Sequence, residues 1–316
     1  MLSRTAETLF WTSRYLERAD TTARRLEVGY RMSLMPSQGS KHASEWISIL
    51  EAAGLSEQFY AKYGKVDLPS IEKFLVYDRD NPASIVSCMR AARNNARSIR
   101  TAITSDVWTA LNTAYLELKS LETRRRANPD LPTMCNWVKK QTATVRGAHL
   151  NTQLHDDGLD FYNIGFYLER ADNTARILDI KYHVLLPTID MVGGGVDNYQ
   201  WTTLLRALAA YRSFYWAYHG DFSPEKIADF LILNPTSTRS LKFCLRKVYE
   251  HLGRLDNAYG RSTQATGQAS ALLAQLEDLQ ASEILAEGLH EFLIDFIGRN
   301  SDLANHIGES FLFGER

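Results

Sequence analysis

The sequence YLERADTTAR at Tyr15–Arg24 recurs as YLERADNTAR at Tyr167–Arg176, 152 positions later and with nine of ten residues unchanged. A match this close predicts a duplicated structural unit, because unrelated segments rarely keep the same residues in the same order. Downstream matches follow in the same order, at Trp46 and Trp201, at Phe74-Leu75-Val76 and Phe230-Leu231-Ile232, and at Cys88 and Cys244. The chain is therefore predicted to consist of two pseudo-symmetric repeats, at about 1–155 and 156–316.

Both repeats have the apolar spacing of helices. Apolar residues recur at three- and four-residue intervals in the segments 46–63, 84–103, 199–218 and 240–255, and the alternation typical of strands is nearly absent. Turn residues separate the segments, as at Pro36–Gly39, Asn128-Pro129 after Arg124–Arg126, Val192–Gly195 and Asp221–Pro224. We therefore predict an all-α protein, a single helical domain over residues 1–316 with roughly ten helices.

Two Asn-Pro turns mark helix starts. Asn81-Pro82 and Asn234-Pro235 each precede a predicted helix. In each, a serine follows the proline by two residues, Ser84 in one repeat and Ser237 in the other, and is expected in the first turn of that helix.

Composition limits the class of protein. A net charge of −1 and a pI near 6.7 give no overall basic excess, which disfavours a non-specific polyanion binder, and no specific nucleic acid is expected as a partner. Three widely spaced cysteines, without a Cys-x-x-Cys pair, fit reduced thiols. No apolar run approaches about 18 residues, and charges interrupt the N-terminal segment. The expected location is the cytoplasm, with no membrane span.

A polar stripe follows one side of each repeated helix. With about 100° per residue, Glu17, Asp20 and Arg24 lie within a narrow sector of the first copy. Glu169, Asp172 and Arg176 do the same in the second copy. Each Asp precedes its Arg by four residues, the favourable order for an ion pair within a helix.

Three interpretations of this stripe remain open: a solvated face, a buried ion-pair network between the repeats, and a binding or catalytic site. A solvated face tolerates almost any polar residue, whereas the two copies keep the same ones. We therefore predict that Glu17 and Glu169 are largely buried. Their helices should face each other about a pseudo-two-fold axis, bringing the six stripe residues into one network.

Chemical signatures for catalysis are weak. Four carboxylates fit the ligand number of a two-magnesium hydrolase of helical type, but Arg24 and Arg176 would neutralise them. Neither copy has the Glu-x-x-His of di-iron bundles. His149 and His290 are interpreted as helix residues with satisfied hydrogen bonds, and the glycines at 193–195 as a loop. No metal site and no cofactor is predicted, and catalytic residues stay unassigned.

A second basic cluster lies in the first repeat. Its arginines recur at three-, four- and three-residue steps: Arg90, Arg93, Arg97 and Arg100. Such a ridge could bind a carboxylate or phosphate bidentately, or it could simply be solvated. The aromatic residues of the second repeat are predicted to pack in the core: Trp201, Tyr211, Phe214, Tyr215, Trp216 and Tyr218.

These motifs carry a family resemblance. They are Phe10-Trp11 with Arg14–Asp20 and Thr22-Ala23-Arg24, the second copy at Tyr167–Arg176, and Asn81-Pro82 with Ser84 and Arg93–Arg97. Over essentially its whole length the chain resembles the alpha-E family of bacterial helical proteins. The resemblance implies an all-helical domain of unestablished activity. It also implies a gene encoded beside, or fused to, a circularly permuted ATP-grasp amide-bond-forming enzyme and a transglutaminase-like protein.

The resemblance directs attention to Glu17, Glu169, Arg24 and Arg176. It also points to Asp106, where a Glu would be expected before Trp108.

Two functions follow as hypotheses. In the first, the chain is a helical partner that binds a peptide or the amidoligase of a peptide-modifying system. In the second, it is an enzyme whose carboxylate-arginine site acts on a peptide or amide, with or without Mg²⁺. Convergent unpaired acids would favour the enzyme, and a filled ion-pair network the partner.

Overall fold

The computed structural model describes residues 1–34, 42–123, 130–183 and 194–314. Within these ranges the chain forms fifteen α-helices and no strand. The helices are α1 (Ser3–Ser33), α2 (His42–Ala53), α3 (Ser56–Tyr60), α4 (Leu68–Glu72), α5 (Ile85–Ser98), α6 (Ser105–Thr123), α7 (Leu131–Thr152), α8 (Asp157–His183), α9 (Gly195–Ala207), α10 (Tyr211–Tyr218), α11 (Pro224–Ala228), α12 (Leu241–Tyr259), α13 (Gln264–Asp278), α14 (Ala281–Glu287) and α15 (Leu289–Ser310). A π-helical turn continues α4 at Lys73–Tyr77, and another continues α11 at Asp229–Leu233.

The all-α prediction is confirmed, but the helices are more numerous than the expected ten. One reason is that two segments predicted as single helices are broken. The segment 46–63 breaks at Gly54, with φ +68°, and the segment 199–218 breaks at Ala209, with φ 55°. A residue with positive φ leaves the right-handed helical region, so the chain turns there and a new helix begins.

Helices α1 and α8 contain the two copies of the repeated sequence and pack against each other at the centre of the molecule. They run in the same direction, since Gly165 lies against Phe10 while Asn173, further along α8, bonds Arg25, further along α1. Helices α5 and α7 flank α1, and α12 and α15 flank α8. Apolar residues of both helices lie in the core, Leu16, Ala19, Ala23 and Leu26 on α1 and Leu168, Ala171, Ala175 and Leu178 on α8.

The predicted position of one of the two serines, Ser237, is wrong. Ser84 caps α5 by accepting from Ser87 N at 3.2 Å, as its position after Asn81-Pro82 indicates. In the second repeat the cap of α12 is Ser240, which accepts from Phe243 N at 3.0 Å, and Ser237 precedes the helix. The turn after Asn234 is three residues longer, so the proline spacing placed the helix too early.

Some sequence predictions fall outside the described residues, namely the turn at Pro36–Gly39 and the loop of Arg124–Arg126 with Asn128-Pro129. The predicted glycine loop is shorter than expected, because Gly194 caps α9 and Gly195 begins it. The prediction of core packing is also wrong for two aromatic residues on α10, because Tyr215 and Trp216 are exposed. No described helix combines the length and apolar character needed to cross a membrane.

Candidate functional site

The central feature is a reciprocal exchange of ion pairs between α1 and α8. Glu17 accepts from Arg170 Nε at 2.8 Å and from its Nη2 at 3.1 Å. Glu169 accepts from Arg18 Nε at 2.6 Å and from its Nη2 at 3.0 Å. Each glutamate therefore binds the arginine that follows the other glutamate, the pattern of a self-complementary contact. We call these four residues the Glu-Arg exchange.

Both glutamates are buried, as predicted, with 4% of Glu17 and 2% of Glu169 exposed. Further arginines complete their surroundings. Arg14 donates to Glu169 at 2.8 Å, and Arg239 donates to Glu17 at 3.3 Å. Because buried carboxylates are tolerated only when paired and hydrogen-bonded, these arginines are needed to keep the glutamates charged.

Asp20 and Arg24 lie next to Glu17, at one end of the Glu-Arg exchange. Asp20 accepts from Arg24 Nε at 2.6 Å, from Arg239 Nη2 at 3.1 Å and from the Thr142 hydroxyl at 3.3 Å. Arg24 also donates to the carbonyl of Ala207 at 2.6 Å. Together these two stripe residues contact three other parts of the chain, at Thr142, Ala207 and Arg239.

Asp172 and Arg176 do not join this network. They pair with each other within α8 at 2.8 Å, and their side chains keep 18% and 27% exposure. The prediction of one network from six stripe residues is therefore wrong. Glu17, Asp20 and Arg24 share one centre, Glu169 lies in a second centre with Arg14 and Arg18, and the Asp172–Arg176 pair stands apart.

The sequence analysis missed the arginines that bind the glutamates, Arg14, Arg18, Arg170 and Arg239. Arg18 and Arg170 lie about 100° from the preceding glutamate on a helical wheel, so the stripe excluded them. A signal for these two existed, because the Glu-Arg step is itself repeated at both positions. Arg239 lies 222 residues from Glu17 and had no such signal.

One carboxylate in each centre, Asp20 in the first and Glu169 in the second, is held ionised. Burial alone would raise the pKa of Asp20, but Arg24 and Arg239 outweigh it and lower the pKa to about 2. Burial likewise opposes Arg18 and Arg14 at Glu169, whose pKa they lower to about 2. Groups with such pKa values do not exchange protons near neutral pH, so neither is suited to general acid-base catalysis.

A cavity of about 270 Å³ opens beside the Glu17 centre, between α1, α7 and α8. Its charged lining includes Glu17, Asp20, Arg24, Arg146, Arg170 and Arg239. Lys139 also lines it but binds Glu27 at 2.6 Å. Four guanidinium groups therefore face two carboxylates, and the cavity carries a surplus of positive charge.

Arg146 is the arginine of this cavity without an acidic partner. It stacks over the ring of Phe166, its Nη2 reaches only the Tyr167 hydroxyl at 3.5 Å, and its buried Nη1 has no hydrogen-bond partner. Phe166 lies 152 positions after Arg14 and corresponds to it in the repeated sequence. Arg14 binds Glu169. The cavity lies on the side of the exchange that has Phe166 in place of Arg14.

The two histidines singled out from sequence differ in their surroundings. His149 stacks on Tyr162 at 3.6 Å, and both of its buried ring nitrogens lack a partner, so its predicted hydrogen bonds are not formed. Burial, with Arg146, lowers the pKa of His149 to about 3, which keeps the ring neutral. His290 is satisfied as expected, since its Nδ1 lies 2.6 Å from Asp179 Oδ1.

The basic ridge is not continuous. Helix α5 ends at Ser98, before Arg100. Arg93 and Arg100 both lie over the ring of Trp108, at 5.5 and 4.6 Å, and Arg93 donates to Asn112. Arg90 and Arg97 remain on α5, and neither forms an ion pair with another described residue. Asp106 lies in the first turn of α6 and accepts from Ser105.

Fold and site together define an all-helical protein in which two long helices exchange buried Glu-Arg pairs beside a cationic cavity. The chain belongs to the Alpha-E family, described as a predicted alpha-helical domain with a conserved ER motif, whose model matches residues 1–312. The Glu-Arg pairs of α1 and α8 fit that description.

Its curated relatives carry no assigned activity. The chain is 24% identical over 308 residues to an uncharacterized protein of Mycobacterium bovis. It is 24% and 23% identical to uncharacterized proteins from two strains of Mycobacterium tuberculosis. Each match covers 92% of this chain but 34% of the relative, so the chain spans about a third of their length. No solved structure gives a significant match.

Proposed function

We propose that this chain is a helical binding module of a peptide-modifying system, working with an ATP-grasp amidoligase and a transglutaminase-like protein. Its cationic cavity takes a carboxylate group of the peptide or of the partner enzyme. The observation that carries the proposal is the unpaired guanidinium of Arg146 among four arginines and two carboxylates. A planar guanidinium with free donors is well suited to bind a carboxylate bidentately.

The paired acids favour a binding role over catalysis. Glu17, Asp20 and Glu169 each accept hydrogen bonds from at least two arginines, so each of these acids is already paired. A magnesium-dependent enzyme would need acids free to bind the cation, and here arginines surround them. The same filled network supports the finer arrangement of two pseudo-symmetric repeats, with α1 and α8 facing each other at their interface.

The relatives support action alongside other domains. In those proteins the matching region is about a third of a longer chain, so this helical unit is found covalently joined to additional sequence. A module that presents a substrate or docks an enzyme can work either in the same chain as its partner or as a separate protein.

The test compares Arg146→Met with wild type in the full chain. Methionine keeps much of the apolar stem over Phe166 and removes the guanidinium. Two binding partners are measured: the co-encoded ATP-grasp protein, and a library of short peptides made with a free C-terminal carboxylate and as the carboxamide. We expect Arg146→Met to weaken binding about tenfold, or about 1.4 kcal/mol, and the carboxamide to lose the same amount.

Arg176→Met is the matched control, because it removes an arginine from α8 that pairs with Asp172 outside the cavity. It should leave binding unchanged. Equal binding by wild type and Arg146→Met, to both the ATP-grasp protein and the peptides, would show that the cavity is not the binding site.

A further inference from the structure

A cluster of two histidines and one aspartate lies where α8 ends. Asp179 and His183 are one turn apart on α8, and His290 reaches them from the first turn of α15. His290 Nδ1 lies 2.6 Å from Asp179 Oδ1, and His183 Nε2 lies 3.3 Å from Asp179 Oδ2. One potential ligand atom from each side chain lies within 4.8 Å of the other two. We propose that these residues bind a divalent transition-metal ion, a site independent of the cationic cavity.

The donor set fits this class of ion. Imidazole nitrogens suit Zn²⁺ and its neighbours far better than Mg²⁺ or Ca²⁺, which prefer oxygen. Two histidines and one carboxylate form a three-ligand set that leaves a coordination position for water or a substrate atom. The histidine side chains are 20% and 23% exposed, so an ion can reach them from solvent.

Neighbouring side chains hold the rings in place. His183 Nδ1 lies 3.1 Å from Glu51 Oε2, so a proton on Nδ1 is donated to Glu51 and the Nε2 lone pair is left for an ion. This carboxylate-histidine arrangement is the usual outer support of a metal ligand. Tyr182 stacks on His290 with 3.9 Å between ring centroids and 8° between planes, which fixes the orientation of the second imidazole.

The first repeat provides an internal comparison. The residues 152 positions before Asp179 and His183 are Glu27 and Arg31. Glu27 accepts from Arg31 at 2.9 Å and from Lys139 at 2.6 Å, two permanent cations. Both described partners of Asp179 are instead histidines, whose ring nitrogens can bind a metal ion.

Charge balance then favours a dication. Asp179 is buried and Glu51 lies against His183, so two carboxylates face the cluster, and among the described residues no lysine or arginine pairs with Asp179. A divalent ion supplies the charge that Arg31 and Lys139 supply at Glu27. In the competing arrangement, without an ion, both histidines pair directly with Asp179.

The experiment uses the full chain without a histidine tag, stripped with a chelator. Zn²⁺ and Mg²⁺ are titrated by calorimetry at pH 7.5, and the Co²⁺ form is followed by its visible absorption. We expect one Zn²⁺ per chain, no comparable binding of Mg²⁺, and a Co²⁺ spectrum typical of low coordination number. Saturating Zn²⁺ should raise the Tm, because the ion binds the folded state.

Asp179→Asn and His290→Gln should each weaken Zn²⁺ binding at least tenfold and abolish the Co²⁺ spectrum. Glu27→Gln, the corresponding change in the first repeat, should leave both unchanged. If Asp179→Asn does not fold, His290→Gln carries the test alone at its partly exposed position. The proposal is overturned if wild type binds no Zn²⁺, if both variants bind it like wild type, or if Mg²⁺ binds equally well.

Discussion

At the scale of single residues, Glu17 and Glu169 matter because each is charged, buried and bound by more than one arginine. The attraction within such a group mainly offsets the cost of removing its charges from water. Removing one member is therefore far more damaging than the net contribution of the group suggests, since the remaining guanidinium groups stay buried without their counter-charge.

This argument predicts the effect of Glu17→Gln combined with Glu169→Gln. Glutamine keeps the side-chain volume but cannot neutralise Arg170 or Arg18, so each change should cost about 3 kcal/mol of unfolding free energy. Urea unfolding at pH 7 measures the loss. Asp172→Asn is the control, because it breaks only the partly exposed pair with Arg176 and should cost less than about 1 kcal/mol.

Binding of the double variant to the proposed ATP-grasp partner separates two roles of the Glu-Arg exchange. Strong destabilisation with unchanged binding indicates a purely structural network. Near-normal stability with lost binding indicates that the glutamates contact the partner. If neither property changes, the conclusion that these buried glutamates matter is wrong.

At the scale of elements, the approach of α8 to α1 depends on Gly165. A Cβ at that position would lie 2.3 Å from the carbonyl oxygen of Phe10 and 2.5 Å from Ser13 Oγ. Backbone atoms cannot move aside as a flexible side chain can. The glycine therefore sets the distance at which the Glu-Arg exchange can form.

Gly165→Ala should lower the unfolding free energy by about 1–3 kcal/mol, as overpacking does, although alanine is the better helix former. Gly253→Ala is the matched control: Gly253 also lies inside a helix, α12, but a Cβ there meets nothing within 4 Å. That change should stabilise by up to about 1 kcal/mol. Thermal unfolding of both variants measures these stability changes. Similar changes at the two positions would contradict the conclusion that Gly165 permits the close approach of α8 to α1.

At the scale of the whole molecule, the two halves of the chain supply counter-charges to each other's buried glutamates. Glu17 in the first repeat is bound by Arg170 and Arg239 of the second, and Glu169 is bound by Arg14 and Arg18 of the first. Separating the repeats would expose the apolar contact of α1 with α8 and strip both glutamates of these partners.

We therefore expect the fragment 1–155 alone to lack a cooperative unfolding transition. Co-expression with the fragment 156–316 should restore a stable complex, because the Glu-Arg exchange can then form between chains. Circular dichroism and size-exclusion chromatography of the separate and combined fragments measure this. Cooperative, monomeric folding of 1–155 by itself would mean that the repeats are independent domains.

The sequence by itself determined the helical class and the burial of Glu17 and Glu169. Helical periodicity and duplication are local patterns, readable without knowing which elements meet. Tertiary structure decided which arginines bind those glutamates, because Arg18 and Arg170 lie off the stripe and reach the glutamates only when α1 and α8 pack together. It also decided the positions of Arg239 and His290, since residues distant in the chain become neighbours only through the packing of whole helices.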